Sequence, residues 1–182
     1  MQIANEISER SITLVRDHKN LLPIKIESNK KIAVVIPKPQ DLTPADTSSF
    51  IKPKLADAIR TYHASVNEFE IPFSPNENEI AALLQQLQNF DLIIVGTINA
   101  YAEEKQAELV RQILKLNIPM VVIAMRLPYD LAAFPQVSTF ICTYSILEPS
   151  MQAAAKALFG RSEMKGQLPV SIPGLVEAKF LS

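Results

Sequence analysis

Residues 91–124 read DLIIVGTINAYAEEKQAELVRQILKLNIPMVVIA. Two short runs, Asp91–Val95 and Pro119–Ala124, are nearly continuous in apolar residues, as expected of strands buried on both faces of a parallel sheet. Between them Leu109, Val110, Ile113 and Leu114 form the stripe of a helix expected over about Ala102–Leu116. Strand, helix, strand is the repeating unit of an α/β fold. Outward from it lie three further strand-like runs, Lys31–Ile36 (KIAVVI), Ser65–Ile71 (SVNEFEI) and Ser138–Thr143 (STFICT), with a weaker one at Ile12–Val15. Crossovers between parallel strands are right-handed. The chain is thus expected to form a three-layer α/β/α sandwich with a mainly parallel, flavodoxin-like sheet, its five main strands in the order 2-1-3-4-5.

The other helices follow from the same periodicity. Ser74-Pro75-Asn76-Glu77 reads as a cap and first turn, opening a helix of about Pro75–Asn89 with Ile80, Leu83, Leu84 and Leu87 inward. Ser145 and Glu148 have capping-box spacing ahead of Met151, Ala154, Ala155 and Leu158, and Gly160 ends that helix. Lys52–Tyr62 is a weaker helix. Residues 2–10 make a short opening helix with Ile3, Ala4 and Ile7 on one side.

Composition bounds the function. The 182 residues suit one domain. Eighteen basic and nineteen acidic residues give a net charge of −1, with no basic run, which argues against nucleic acid as a partner. No apolar run reaches membrane-spanning length. One cysteine, Cys142, excludes an internal disulfide framework and any cysteine-based zinc cluster, and two histidines, His18 and His63, leave little for a metal site. Four glycines and the absence of phosphate-loop motifs leave no cradle for a nucleotide. No cofactor and no metal is expected. With no tryptophan and 7% aromatic residues, a stand-alone sugar-binding module is disfavoured.

In an open α/β sheet, ligands sit beyond the C-terminal ends of the strands. Those loops are expected at Pro37–Phe50, Gly96–Tyr101 and Met125–Asp130. Asn99, Tyr101 and Arg126 are the candidate substrate-binding residues there. Arg126 and Asp130 are expected to pair at the surface. Glu103 and Glu104 are adjacent and cannot face each other as an acid/base pair, so they are read as complements to the positive end of a helix. His18 is read as solvated, His63 as sitting at a helix end, and Cys142 as inert core. No catalytic residue is assigned.

Several blocks then resemble a known family. Ile3–Asp17 with Leu21-Leu22-Pro23-Ile24, the strand Asp91–Gly96, and Gly166–Gly174 (GQLPVSIPG) resemble the C-terminal domain of family-3 glycoside hydrolases. Arg126–Leu131 (RLPYDL) with Thr143-Tyr144-Ser145 resembles its β-N-acetylhexosaminidase branch. The resemblance implies an N-terminal (β/α)₈ barrel partner in the same parent protein, carrying the aspartate nucleophile and a His–Asp acid/base pair. It implies that carbohydrate substrate is met through that parent, and that Met1 is an artificial or alternative start. The barrel's Lys-His-Phe-Pro-Gly type motif does not occur here: His18 precedes Lys19 and His63 precedes Ala64. A barrel of ~250 residues has no room in this chain. The β-glucosidase branch draws an acid/base glutamate from the loop after the Asp91–Val95 strand. Glu103 only loosely echoes that pattern and is given no catalytic role. Two functions stay in view: an accessory domain of a retaining β-N-acetylhexosaminidase, inactive alone, and a free-standing flavodoxin-like binding or interaction module. The first expects an exposed apolar patch near the opening helix and the closing segment Gln167–Ser182.

Overall fold

The computed structural model describes residues 2–178; Met1 and the last part of the closing segment, 179–182, lie outside the described residues. The order is α1 (Gln2–Ser11), β1 (Thr13–Asp17), β2 (Ile32–Pro37), α2 (Leu55–Arg60), β3 (Val66–Ile71), α3 (Glu77–Leu87), β4 (Leu92–Thr97), α4 (Glu104–Leu114), β5 (Met120–Ala124), β6 (Thr139–Cys142) and α5 (Glu148–Leu158). Six strands form one sheet in the order β1-β6-β5-β4-β2-β3. Every neighbouring pair is parallel except β1 with β6. The five parallel strands are those expected, in the expected order; the weak Ile12–Val15 run supplies the antiparallel edge strand.

Successive side chains of a strand point to opposite faces. Ile32, Val34, Ile36, Ile94 and Ile123 therefore pack with α2 and α5. Ala33, Val35, Ile93, Val95 and Val122 pack with α3 and α4. β2, β4 and β5 are buried along their whole length, because helices cover both faces.

Two caps differ from the sequence reading. The box that opens α3 uses Asn76, not Ser74: Asn76 Oδ1 accepts from the amides of Asn78 and Glu79, and the Asn76 amide donates to Glu79 Oε2. Ser74 is engaged elsewhere, donating to Glu103 Oε1 at 3.0 Å. At α5 there is no box. Leu147 is the cap residue, and Ser145 Oγ accepts from its amide at 3.1 Å. Gly160 does end this stretch, at φ 68°. The α3 cap carries a prediction. Asn76→Ala is expected to cost about 1 kcal/mol, read as a fall in the urea midpoint, whereas Ser74→Ala leaves that cap intact.

α1 forms as expected, but its orientation inverts the usual arrangement. None of its residues is buried. Its contacts to α5 run through polar groups, Ser8 to Ser150 at 3.2 Å and Glu9 to Lys156 at 2.6 Å. Ile3 and Ile7 face outward, 74% and 60% exposed. The described part of the closing segment behaves differently. Leu168 and Ile172 are buried against the sheet, so that segment does not extend the exposed patch.

Candidate functional site

The loops after β2, β4 and β5 converge beyond the C-terminal ends of adjacent strands, because those strands are neighbours in the sheet. The first loop turns at Thr43–Asp46 and ends in a 3₁₀ turn at Ser48–Phe50. Its own carboxylates hold it. Asp46 accepts from the amides of Leu42 and Ser48 and from Ser48 Oγ, and Asp41 accepts from Ser49 N and Oγ.

Arg126 does not pair with Asp130. It reaches across to the first loop and donates to Asp46 Oδ2 at 2.9 Å. Ser48 and the Arg126 guanidinium, with two backbone amides, hold the Asp46 carboxyl well below the usual carboxylate range. The loops after β2 and β5 are thereby tied by one charge-assisted contact.

Asp130 is fully buried, in the 3₁₀ turn Pro128–Ala133 that follows β5. Its Oδ2 accepts from Thr97 Oγ1 at 2.6 Å and its Oδ1 from the Tyr101 amide at 3.0 Å. Burial pushes its pKa up, against the lowering influence of these bonds. Asp130 thus fastens the turn after β4, a task the sequence pattern does not assign to it. The one signal available is an acidic residue set into the apolar spacing of Leu131 and Phe134.

Asn99 lies in that turn, half-buried, at φ 63°. A residue with a short polar side chain tolerates this left-handed backbone best after glycine. Its carbonyl accepts from the amides of Ala102 and Glu103. Tyr101 is 63% exposed, its ring 6.2 Å from that of Tyr129. Beneath them Gln106, buried, accepts from the Ile98 amide and donates to Phe73 O. The fold brings Asn99, Tyr101 and Arg126 to one edge of the sheet.

Glu103 caps α4, accepting from the Lys105 amide and Ser74 Oγ, and Glu104 pairs with Arg111. Both match the structural role expected of them. His63 follows the end of α2, as expected; it is buried, and its Nε2 lies 2.7 Å from Lys30 O, so it links that helix end to the strand entrance. His18 is exposed. Cys142 is buried, and burial pushes its thiol pKa up, which suppresses the reactive thiolate. Among the described residues no group of three or more His, Cys, Asp or Glu side chains is placed to hold a metal ion, and no helix is long and apolar enough to cross a membrane.

The same fold recurs in known proteins. The model of the glycosyl hydrolase family 3 C-terminal domain matches residues 12–179. Among solved structures, a fungal multi-domain GH3 β-N-acetylglucosaminidase superposes with a TM-score of 0.82 at 28% identity, over 100% of this chain and 20% of that one. A glycoside hydrolase family 3 β-N-acetylglucosaminidase from Paenibacillus sp. str. FPU-7 gives 0.83 at 28% identity, over 92% of this chain and 32% of that one. A β-glucosidase from Listeria innocua, at 19% identity and a TM-score of 0.73 over 93% of this chain and 26% of that one, shares the fold. A comparison with curated protein sequences finds no match. The chain spans a third or less of the length of these solved relatives. A match over nearly all of the chain, on a sheet of the expected strand order, places it in a family: the chain belongs to the glycosyl hydrolase family 3 C-terminal domain family.

Proposed function

We propose that this chain is the accessory C-terminal domain of a retaining β-N-acetylhexosaminidase acting on terminal N-acetylglucosamine-type β-glycosides. It braces the catalytic barrel and walls one side of the sugar site, and it is inactive alone. The branch is supported by the two β-N-acetylglucosaminidases, the more similar of the solved relatives above, at 28% identity.

The observation that carries the accessory role is the state of the carboxylates at the sheet edge. Retaining hydrolysis needs two catalytic groups about 5 Å apart across the scissile bond. At this edge the acidic side chains are occupied with structure: Asp41 and Asp46 hold the first loop, Asp130 the second, and Glu103 caps α4. Asn99, Tyr101 and Arg126 remain as groups that bind without breaking bonds. An exposed tyrosine ring can stack on a sugar face, and an arginine or an asparagine amide can donate to hydroxyls.

The test is kinetic and uses the parent enzyme with an aryl N-acetyl-β-glucosaminide. Tyr101→Ala and Arg126→Ala are expected to raise KM about threefold to tenfold, the size of one lost polar or stacking contact, with kcat little changed. Unchanged KM in both variants removes the sugar-walling role and leaves only the brace.

A further inference from the structure

Arg126 differs from Arg60 and Arg111 in what it leaves free. Those two commit Nε and both Nη groups to their surroundings: Arg60 to Val66 O and Asp57, Arg111 to Ala133 O, Glu104 and Glu108. Among the described residues Arg126 makes one bond, from Nη1 to Asp46 Oδ2. Its Nε and Nη2 have no partner there. That edge of a guanidinium carries two parallel N–H donors, a geometry that meets two neighbouring oxygens of a ligand at once.

The single contact joins two well-anchored points. Asp46 is held in its own loop by the amides of Leu42 and Ser48 and by the Ser48 hydroxyl, and its side chain is 10% exposed against 35% for Arg126. Leu42 in turn packs against the core cluster that includes Ile36. The base of Arg126 is also fixed, since the preceding amide, that of Met125, donates to Thr97 O at the end of β4. The long side chain between these anchors is restrained. An ion pair with so exposed an arginine adds little to stability, so its consequence lies in where the guanidinium stands. A loose arginine keeps rotamer freedom that a ligand must remove on binding, and removing it beforehand favours the complex.

We propose that Asp46 is a positioning residue for Arg126: it holds the guanidinium before a glycoside arrives and leaves the Nε–Nη2 edge for two neighbouring sugar oxygens. The inference rests on the functional reading above, in which Arg126 walls the sugar site, and adds to it a residue that touches no sugar itself. Asp41 is the contrast within the same loop. Its bonds go to Ser49 N and Oγ and none to Arg126.

The first measurement uses this 182-residue chain, isotope-labelled for NMR. Arg126→Lys identifies the Arg126 guanidinium signals by their loss. Separate Nη signals are expected for Arg126 at low temperature, because the Asp46 contact hinders rotation of the guanidinium. They are expected to merge in Asp46→Asn and to persist in Asp41→Asn. An Asp46→Asn spectrum like that of the wild type overturns the proposal. The second measurement is kinetic, on the enzyme encoded by the uninterrupted reading frame that contains the chain, with an aryl N-acetyl-β-glucosaminide. Asp46→Asn is expected to raise KM about threefold to tenfold with kcat little changed, the worth of fixing one long side chain. Asp41→Asn is expected to keep KM within about twofold of the wild type. In an Arg126→Ala background Asp46→Asn is expected to add nothing. The asparagine keeps an acceptor for the loop amides, and the urea midpoint of each variant chain checks that the fold survives. Equal rises for Asp41→Asn and Asp46→Asn, or effects of Asp46 and Arg126 that multiply, assign Asp46 to the loop alone and overturn the proposal. If Arg126→Ala raises KM and Asp46→Asn does not, the positioning role falls and the sugar-walling reading stands. If Arg126→Ala itself leaves KM unchanged, Arg126 meets no sugar, and the positioning role falls together with that part of the reading.

Discussion

Asp130→Ala is expected to destabilise the domain by about 3 kcal/mol, whereas Asp130→Asn costs no more than about 1.5 kcal/mol. The alanine strands the buried Thr97 hydroxyl and leaves the part-buried Tyr101 amide without its acceptor. A buried donor left without an acceptor costs about 1–3 kcal/mol, partly relieved here because the Thr97 hydroxyl can turn. The asparagine keeps one carbonyl oxygen for the Tyr101 amide and offers its own NH₂ to Thr97 Oγ1, which accepts as well as donates. It also removes a buried charge. The pair is measured by urea unfolding at several pH values. Burial raises the folded-state pKa of Asp130 above its unfolded value, so the folded state holds the proton more tightly between the two. The resulting contribution is complete below the ordinary carboxylate range and is lost as pH rises through the raised value. Relative to the non-titrating asparagine variant, the wild-type domain therefore weakens as pH rises over that window. A pH-independent difference contradicts the assignment of Asp130 as a buried, titrating anchor.

Gly166→Ala is expected to cost about 2–3 kcal/mol for a different reason. A Cβ at Gly166 would stand 2.3 Å from Ser11 O, 2.3 Å from Thr13 Oγ1 and 2.7 Å from Ile12 O. Two of these are main-chain oxygens where α1 passes into β1 and cannot swing aside. The Gly166 amide also donates to Ile12 O at 2.9 Å, so a shift that relieves the clash breaks this bond. Thr13 is tied to Ser11 O and to the Tyr144 hydroxyl, and its displacement would carry the β1–β6 edge with it. Gly174→Ala supplies the comparison. That residue has φ 73°, but a Cβ there would meet nothing within 4 Å, so only backbone strain of about 1–2 kcal/mol is expected. Equal losses at the two glycines in thermal melts would contradict the close packing at residue 166.

The parallel core was legible because β2, β4 and β5 are covered on both faces, and such strands leave unbroken apolar runs. The edge strand β1 was faint: only Thr13 is fully buried along it, and its partner β6 is more than a hundred residues away. Local pattern also placed the caps only approximately. Ser74 and Asn76 are both cap formers, and the choice between them turns on Glu79 reaching back to the Asn76 amide.

The candidate edge was found for a topological reason, since strand order fixes which loops meet. Its internal wiring was not. Arg126 and Asp46 are 80 residues apart, and nothing near Arg126 favours Asp46 over the closer Asp130. The outward stripe of α1 could not be told from an inward one by spacing, because periodicity reports which residues share a face and not what that face meets.

The central claim is that the bond-breaking groups of the parent enzyme lie outside this domain. Its most direct measurement is release of 4-nitrophenol from 4-nitrophenyl N-acetyl-β-glucosaminide by the purified 182-residue chain, set beside the polypeptide of the whole reading frame. The account predicts a rate indistinguishable from buffer for the chain and catalytic turnover for the whole polypeptide. Sustained turnover by the chain alone contradicts it.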